Sequence, residues 1–181
     1  MMRLCAVLVL SLLGGLLSVH AAPAPRPHWS VGFHRMSFLD PLDAQPMKAI
    51  AFYPSTDAER TTALGAYHVA ASEDAKVAIG RFPMLMLSHG NTGTPLALHD
   101  LATALARKGF VVVAVLHPGD NYKDHSRLGT VSNLYGRPIQ ISQAITAALA
   151  EPMLSPFLDL DQNRLRVHSA GGEPALLLGA A

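Results

Sequence analysis

His168-Ser169-Ala170-Gly171-Gly172 stands between a short strand-like run, Arg164 to Val167, and an apolar stretch that includes Ala175, Leu176, Leu177 and Leu178. A serine between a strand and a helix can be held at the exposed tip of a sharp turn. The N–H of the next residue, Ala170, then points to the same place, and the positive end of the helix dipole lies behind it. This suits attack by the Ser169 hydroxyl on an acyl carbon, with the developing oxyanion received by backbone donors. Gly171 and Gly172 would let the backbone pass closely. The same residues also describe an ordinary capping serine before a glycine-rich helix start, and the motif alone does not choose between the two.

A second constellation, Ser88-His89-Gly90-Asn91, follows the buried run Pro83 to Leu87. In a parallel sheet its carboxyl end would neighbour the serine's strand, and the N–H of Asn91 is then a candidate second oxyanion donor. The alternatives are a glycine turn feeding a helix, or a phosphate cradle. Gly90 and Gly93 lack the full dinucleotide spacing, which argues against a nucleotide. His89 and His117 both fall at the carboxyl edge of the expected sheet. They are candidates to line a substrate cleft, and more remotely to act as base to Ser169. His168 adjoins the serine, and side chains at that spacing point apart. No two histidines are spaced to share a helix face and there is no cysteine partner, so no metal site is expected.

The elements that must position these residues follow from apolar spacing. Val31 to Phe38 and Met47 to Tyr53 read as a hairpin around a turn containing Asp40, Pro41 and Asp43. Ser55 to Gly80 reads as a surface excursion with one short strand near Ala66 to Ala71. Pro83 to Leu87 and Phe110 to Leu116 are continuous apolar runs, as expected for strands buried on both faces, and Met84 and Met86 are most simply core. Between them a helix is expected from Thr94 as cap and Pro95 at its first position, with Leu98, Leu101, Ala102 and Leu105 on one face and Gly109 as terminator. Strand, helix and strand in that order make a parallel crossover. His117 to Pro138 reads as a long polar loop, in which Asp120 to Asp124 is assigned a structural role. Pro138 is then expected to start a helix with Ile141, Ala144, Ile145, Ala148 and Leu149 along one face.

The chain has 181 residues, enough for one domain, and half are hydrophobic. Lys and Arg total 14 against 13 for Asp and Glu, so no electrostatic footprint suggests nucleic acid or an anionic membrane. Met1 to Ala21 reads as a signal peptide: Arg3, a Leu-rich run to Leu17, then Val19-His20-Ala21 before the cut. An uncut membrane anchor is the alternative. The expected location is secreted or periplasmic, with no stable membrane anchor after processing. The single cysteine, Cys5, lies in this segment, so the mature protein would carry no thiol. Residues 22–30 read as an extended arm, and 31–181 as an α/β domain with a mostly parallel sheet and helices on both faces.

Taken in order, Phe52-Tyr53-Pro54, Ser88-His89-Gly90, His117-Pro118-Gly119-Asp120-Asn121-Tyr122 and His168-Ser169-Ala170-Gly171-Gly172 resemble the N-terminal portion of the α/β-hydrolase superfamily. The branch resembled is the secreted one described as dienelactone-hydrolase-like or platelet-activating-factor-acetylhydrolase-like. The resemblance implies a serine hydrolase acting on a small-molecule carboxylic ester or lipid, with Ser169 as nucleophile and the N–H groups of Asn91 and Ala170 as oxyanion hole. It implies no metal and no organic cofactor. Two departures accompany it: Val167 stands where the superfamily's Gly-x-Ser-x-Gly turn has its first glycine, and the twelve residues after Ser169 contain neither Asp nor His. On that reading the domain is truncated after the nucleophile turn, and the chain is inactive or impaired, or a non-catalytic binding or remnant protein. It would also self-associate through an exposed sheet edge.

Overall fold

The computed structural model describes residues 28–167. The first hairpin is β1 (Ser30–Leu39) and β2 (Pro46–Ser55), paired antiparallel in one unbroken register from Ser30↔Ser55 to Leu39↔Pro46. Gly32 lies opposite Tyr53, and a Cβ there would sit 2.3 Å from the Tyr53 ring, so glycine is what lets the ring lie flat across β1. The expected excursion folds as a small hairpin, β3 (Thr61–Leu64) and β4 (Tyr67–Ala70), followed by the two-residue β5 (Ser72–Glu73) against β1. The one short strand expected near Ala66 to Ala71 is β4, and it is joined by two more, β5 and a partner β3 that exists because Gly65, at φ +62°, turns the chain back on itself.

β6 (Phe82–Ser88), α1 (His99–Ala106) and β7 (Val111–Leu116) form the parallel crossover unit. Along β7, Val111, Val113 and Val115 join one apolar cluster, while Val112 and Ala114 join the other. This alternation is what a strand covered on both faces requires. The first cluster, with Met84 and Met86 from β6, is closed by α2 through Ile141, Ala144 and Ala148; the second is closed by α1 through Ala102 and Ala106. The helices thus cover opposite faces. The order β5-β1-β2-β7-β6-β8 completes a six-stranded sheet, with β8 (Leu158–Val167) parallel to β6 at the margin of the described residues.

Three boundaries differ from expectation. Thr94 to Leu98 form i→i+3 turns, with Ala97 N–H donating to Thr94 O and His99 N–H to Leu96 O, before regular helix begins at His99. That rotates the buried face to Ala102, Thr103 and Ala106 and leaves Leu101 45% exposed. More consequentially, α2 (Val131–Ala150) starts seven residues before Pro138, capped by Thr130, whose side chain accepts from Asn133 N–H. Pro138 lies inside the helix, where it offers no N–H to the carbonyl four residues back. What offsets this is polar: the two added turns carry Asn133 and Arg137 to the buried Asp120. Finally, β8 begins at Leu158 rather than Arg164. Its pairing with β6 is in two pieces, Phe82↔Leu158 to Pro83↔Asp159 and Leu85↔Arg164 to Ser88↔Val167, and the second piece is the strand expected from the sequence.

Candidate active site

β6 and β8 end side by side at the carboxyl edge, Ser88 opposite Val167. Beyond Ser88 the chain enters the loop His89 to Thr94, as the sequence suggested. Ser169 and Ala170, and the glycines after them, lie outside the described residues, as do the expected signal peptide and Cys5. Gly90 O accepts from Gly93 N–H and from the His89 ring, Thr92 N–H donates to Asp120 Oδ1 at 2.8 Å, and Gly93 O accepts from Tyr122 N–H at 3.0 Å. Thr92 sits at φ +54°, in the left-handed region that a β-branched residue seldom occupies. Asn91 is exposed, and its N–H has no acceptor among the described residues.

Beneath the loop lies a buried polar network that sequence reasoning did not find. Gln140 Nε2 donates to Asp40 Oδ2 at 2.8 Å, so its Oε1 is the atom that accepts from His117, which places the proton of that ring on Nδ1. His117 Nε2 is then an acceptor, and the Ser88 hydroxyl donates to it at 2.8 Å while accepting from Arg137 Nη2 at 2.9 Å. Arg127 closes the far end, donating to Asp40 at 3.2 Å and to Asp43 at 2.5 Å. His89 has the same tautomer: Nδ1–H donates to Gly90 O and Nε2 accepts from His117 N–H. All four ring nitrogens are engaged. Burial, then the nearby Arg137 guanidinium and the His89 ring, hold His117 well below its ordinary range against the opposing Gln140 and Asp120. Burial likewise lowers His89. Both rings are therefore neutral.

The two candidate lining residues lie under the edge rather than upon it, His117 at 0% exposure and His89 at 4%. Ser88, at 1%, has the hydrogen bond of a serine–histidine pair without the access of a nucleophile. Asp120 is also fully buried. Burial raises its carboxyl, but hydrogen bonds from Thr92 N–H, Asn133 and Arg137 outweigh that and hold it below its usual range. Asn121 and Asp124 bond to backbone, at His117 O and Gly119 N–H, as structural loop residues do. The sequence signal that was available is the spacing Arg137, Gln140, Ile141, Ala144: one helical face that changes from polar to apolar.

An open cavity of about 510 Å³ begins three residues past Asn91. Pro95, Leu96, Leu116 and Ile50 give it an apolar wall, and Tyr67, Tyr122 and Lys48 stand at its sides. Among the described residues no group of three His, Cys, Asp or Glu is placed to hold a metal, and no helix is long and apolar enough to cross a membrane.

No family model and no curated protein matches the chain. Solved structures do. A ferulic acid esterase from Streptomyces cinnamoneus superposes with a TM-score of 0.69 at 21% identity, covering 88% of this chain and 57% of its own. A dienelactone hydrolase-like promiscuous phosphotriesterase from metagenomic libraries gives 0.53 at 14%, covering 82% and 54%. The α/β hydrolase GrgF from Penicillium sp. sh18 gives 0.54 at 16%, covering 82% and 41%. The chain thus spans roughly half the length of these structures, and in the order, direction and helical covering of its strands it has the α/β-hydrolase fold.

Proposed function

We propose that this chain carries the oxyanion side and the nucleophile of an exported serine ester hydrolase. Ser169 attacks the ester carbonyl, and the N–H groups of Asn91 and Ala170 receive the oxyanion. The observation that carries the reading is the Asn91 N–H, left without an acceptor on a loop otherwise tied down at His89, Thr92 and Gly93, beside the strand that leads to Ser169. The substrate is a small carboxylic ester or lipid whose apolar part occupies the cavity walled by Pro95, Leu96 and Leu116. Neither metal nor organic cofactor enters this chemistry.

His89 and His117 do not serve as base, since both have their ring nitrogens engaged and lie buried. Without either of these rings as base, Ser169 depends on a base from elsewhere. The same observation favours a second reading, a non-catalytic hydrolase-like binding protein. Adding imidazole to the assay separates them, because a diffusible base can deprotonate an accessible serine. Hydrolysis of a short-chain aryl ester, corrected for the imidazole reaction in buffer, should rise with imidazole in the native chain and stay flat in Ser169→Ala. Equal rates in the two would leave only the binding reading.

A further inference from the structure

Resting on the ester-hydrolase reading, we propose that Arg137 and Asp120 are positioning residues which hold the Asn91 loop in its oxyanion-binding shape. One ion pair grips the loop on both sides of Asn91. Arg137 Nη2 donates to His89 O and to Ser88 Oγ, on the near side. Its Nη1 donates at 2.7 Å to Asp120 Oδ2, and Asp120 Oδ1 accepts Thr92 N–H on the far side. Arg137 is 3% exposed and Asp120 0%, so water does not compete for these bonds.

Two features give the grip a purpose beyond packing. Thr92 is held at φ +54°, a conformation that persists only where its surroundings over-determine it, and its N–H is the very group that Asp120 takes. Between the two anchored residues, Gly90 and Asn91 have N–H groups bonded to nothing described. The clamp fixes the residues on either side of the Asn91 donor. The role is geometric, because the pair is neutral overall and adds little field at the oxyanion. A charge-conserving Arg137→Lys should therefore fail, since one ammonium cannot reach Asp120, Ser88 and His89 O in the same fork geometry.

The clamp assigns a reason to the early start of α2. Arg137 and Asn133 reach Asp120 only if residues 131–137 are helical, despite Pro138.

The test is site-resolved amide hydrogen exchange on the intact chain, native against Arg137→Lys. Exchange at the bonded loop amides of Thr92 and Gly93 should quicken about tenfold or more while amides of β7 change little, as local opening does. Equal acceleration in both segments, or none in either, would overturn the clamp and leave Arg137 an ordinary stabilising residue. If Arg137→Lys does not fold, the double variant Arg137→Met/Asp120→Leu removes both charges and is read the same way. In parallel, the imidazole-dependent, Ser169-dependent ester rate should lose about a hundredfold in kcat with KM held, the cost of misplacing one donor by an ångström. A raised KM with kcat held would contradict a positioning role. Should the native chain show no Ser169-dependent rate, the ester reading fails by itself, and exchange alone decides whether the loop is clamped.

Discussion

From Val111 to Asn121 the chain stays largely buried while its chemistry reverses. Val111 to Val115 in β7 bury side chains that ask only for matching shape, against α1 on one face and α2 on the other. His117, Asp120 and Asn121, a few residues on, bury groups that each demand a partner: Ser88 and Gln140 for His117, Thr92, Asn133 and Arg137 for Asp120, and the backbone of His117, Lys123 and Asp124 for Asn121. Apolar burial tolerates small losses in proportion to the volume removed. Polar burial does not: removing one partner strands the other without water or hydrogen bond. The site is thus built where the fold is least forgiving, which fits a region whose task is to hold donors still.

The sharpest way to break the contrast is Arg137→Met. Leaving Asp120 charged and unpaired at 0% exposure should cost about 3–5 kcal/mol, read from urea unfolding followed by circular dichroism. A loss below about 1 kcal/mol, the level of an exposed ion pair, would mean that the pair is solvated after all. On the apolar side, Val113→Ala should cost about 2–3 kcal/mol by the same measurement, as a partly collapsed cavity does. If it costs more than Arg137→Met, the comparison inverts.

Acid sharpens it further. His117 and His89 stay neutral in the fold, whereas in the unfolded chain each takes a proton near pH 6.5. Below that pH the unfolded state binds more protons, so stability falls as pH falls. The slope approaches at most about 1.4 kcal/mol per pH unit for each such histidine. Unfolding midpoints between pH 7.5 and 5.5 should show this decline, and His117→Gln should flatten it while lowering stability throughout. A midpoint independent of pH would show the rings protonating freely. The smallest effect concerns the cap: Thr130→Ala should cost about 1 kcal/mol, since it loses the bond from Asn133 N–H and the one its hydroxyl donates to Arg127 O, both at a solvent-exposed helix start.

The apolar half of the comparison was legible in the sequence. Period and composition gave the β1–β2 hairpin and the β6–α1–β7 unit, because each of these strands announces its own burial, and the place of Arg164 to Val167 beside β6 followed from expecting a parallel sheet. The polar half was not. His117 to Pro138 reads as a loop because Ser126, Arg127, Asn133 and Arg137 break any apolar period, and Pro138 reads as a helix start because that is its commonest place. The first turns of α2 are helical for the sake of Asp120, eleven to seventeen residues before them in the chain, and Gln140 is buried for the sake of Asp40, a hundred residues away. Reciprocal satisfaction of this kind leaves little local signal beyond the polar-to-apolar face of Arg137, Gln140, Ile141 and Ala144. His89 and His117 suffer from the same blindness: the sequence puts them at the right edge but not on the right side of its surface.

One measurement bears most directly on whether Ser169 is the nucleophile. Two serines compete for that title, Ser169, two residues past the end of β8 in the sequence, and Ser88, with a histidine 2.8 Å from its hydroxyl. Incubation of the intact chain with excess fluorophosphonate probe and imidazole as diffusible base, followed by peptide mass spectrometry, should place the adduct on Ser169 and leave Ser88 unmodified, because Ser88 is buried and its hydroxyl is held between Arg137 and a neutral His117. An adduct on Ser88, or none on either serine, would contradict the account.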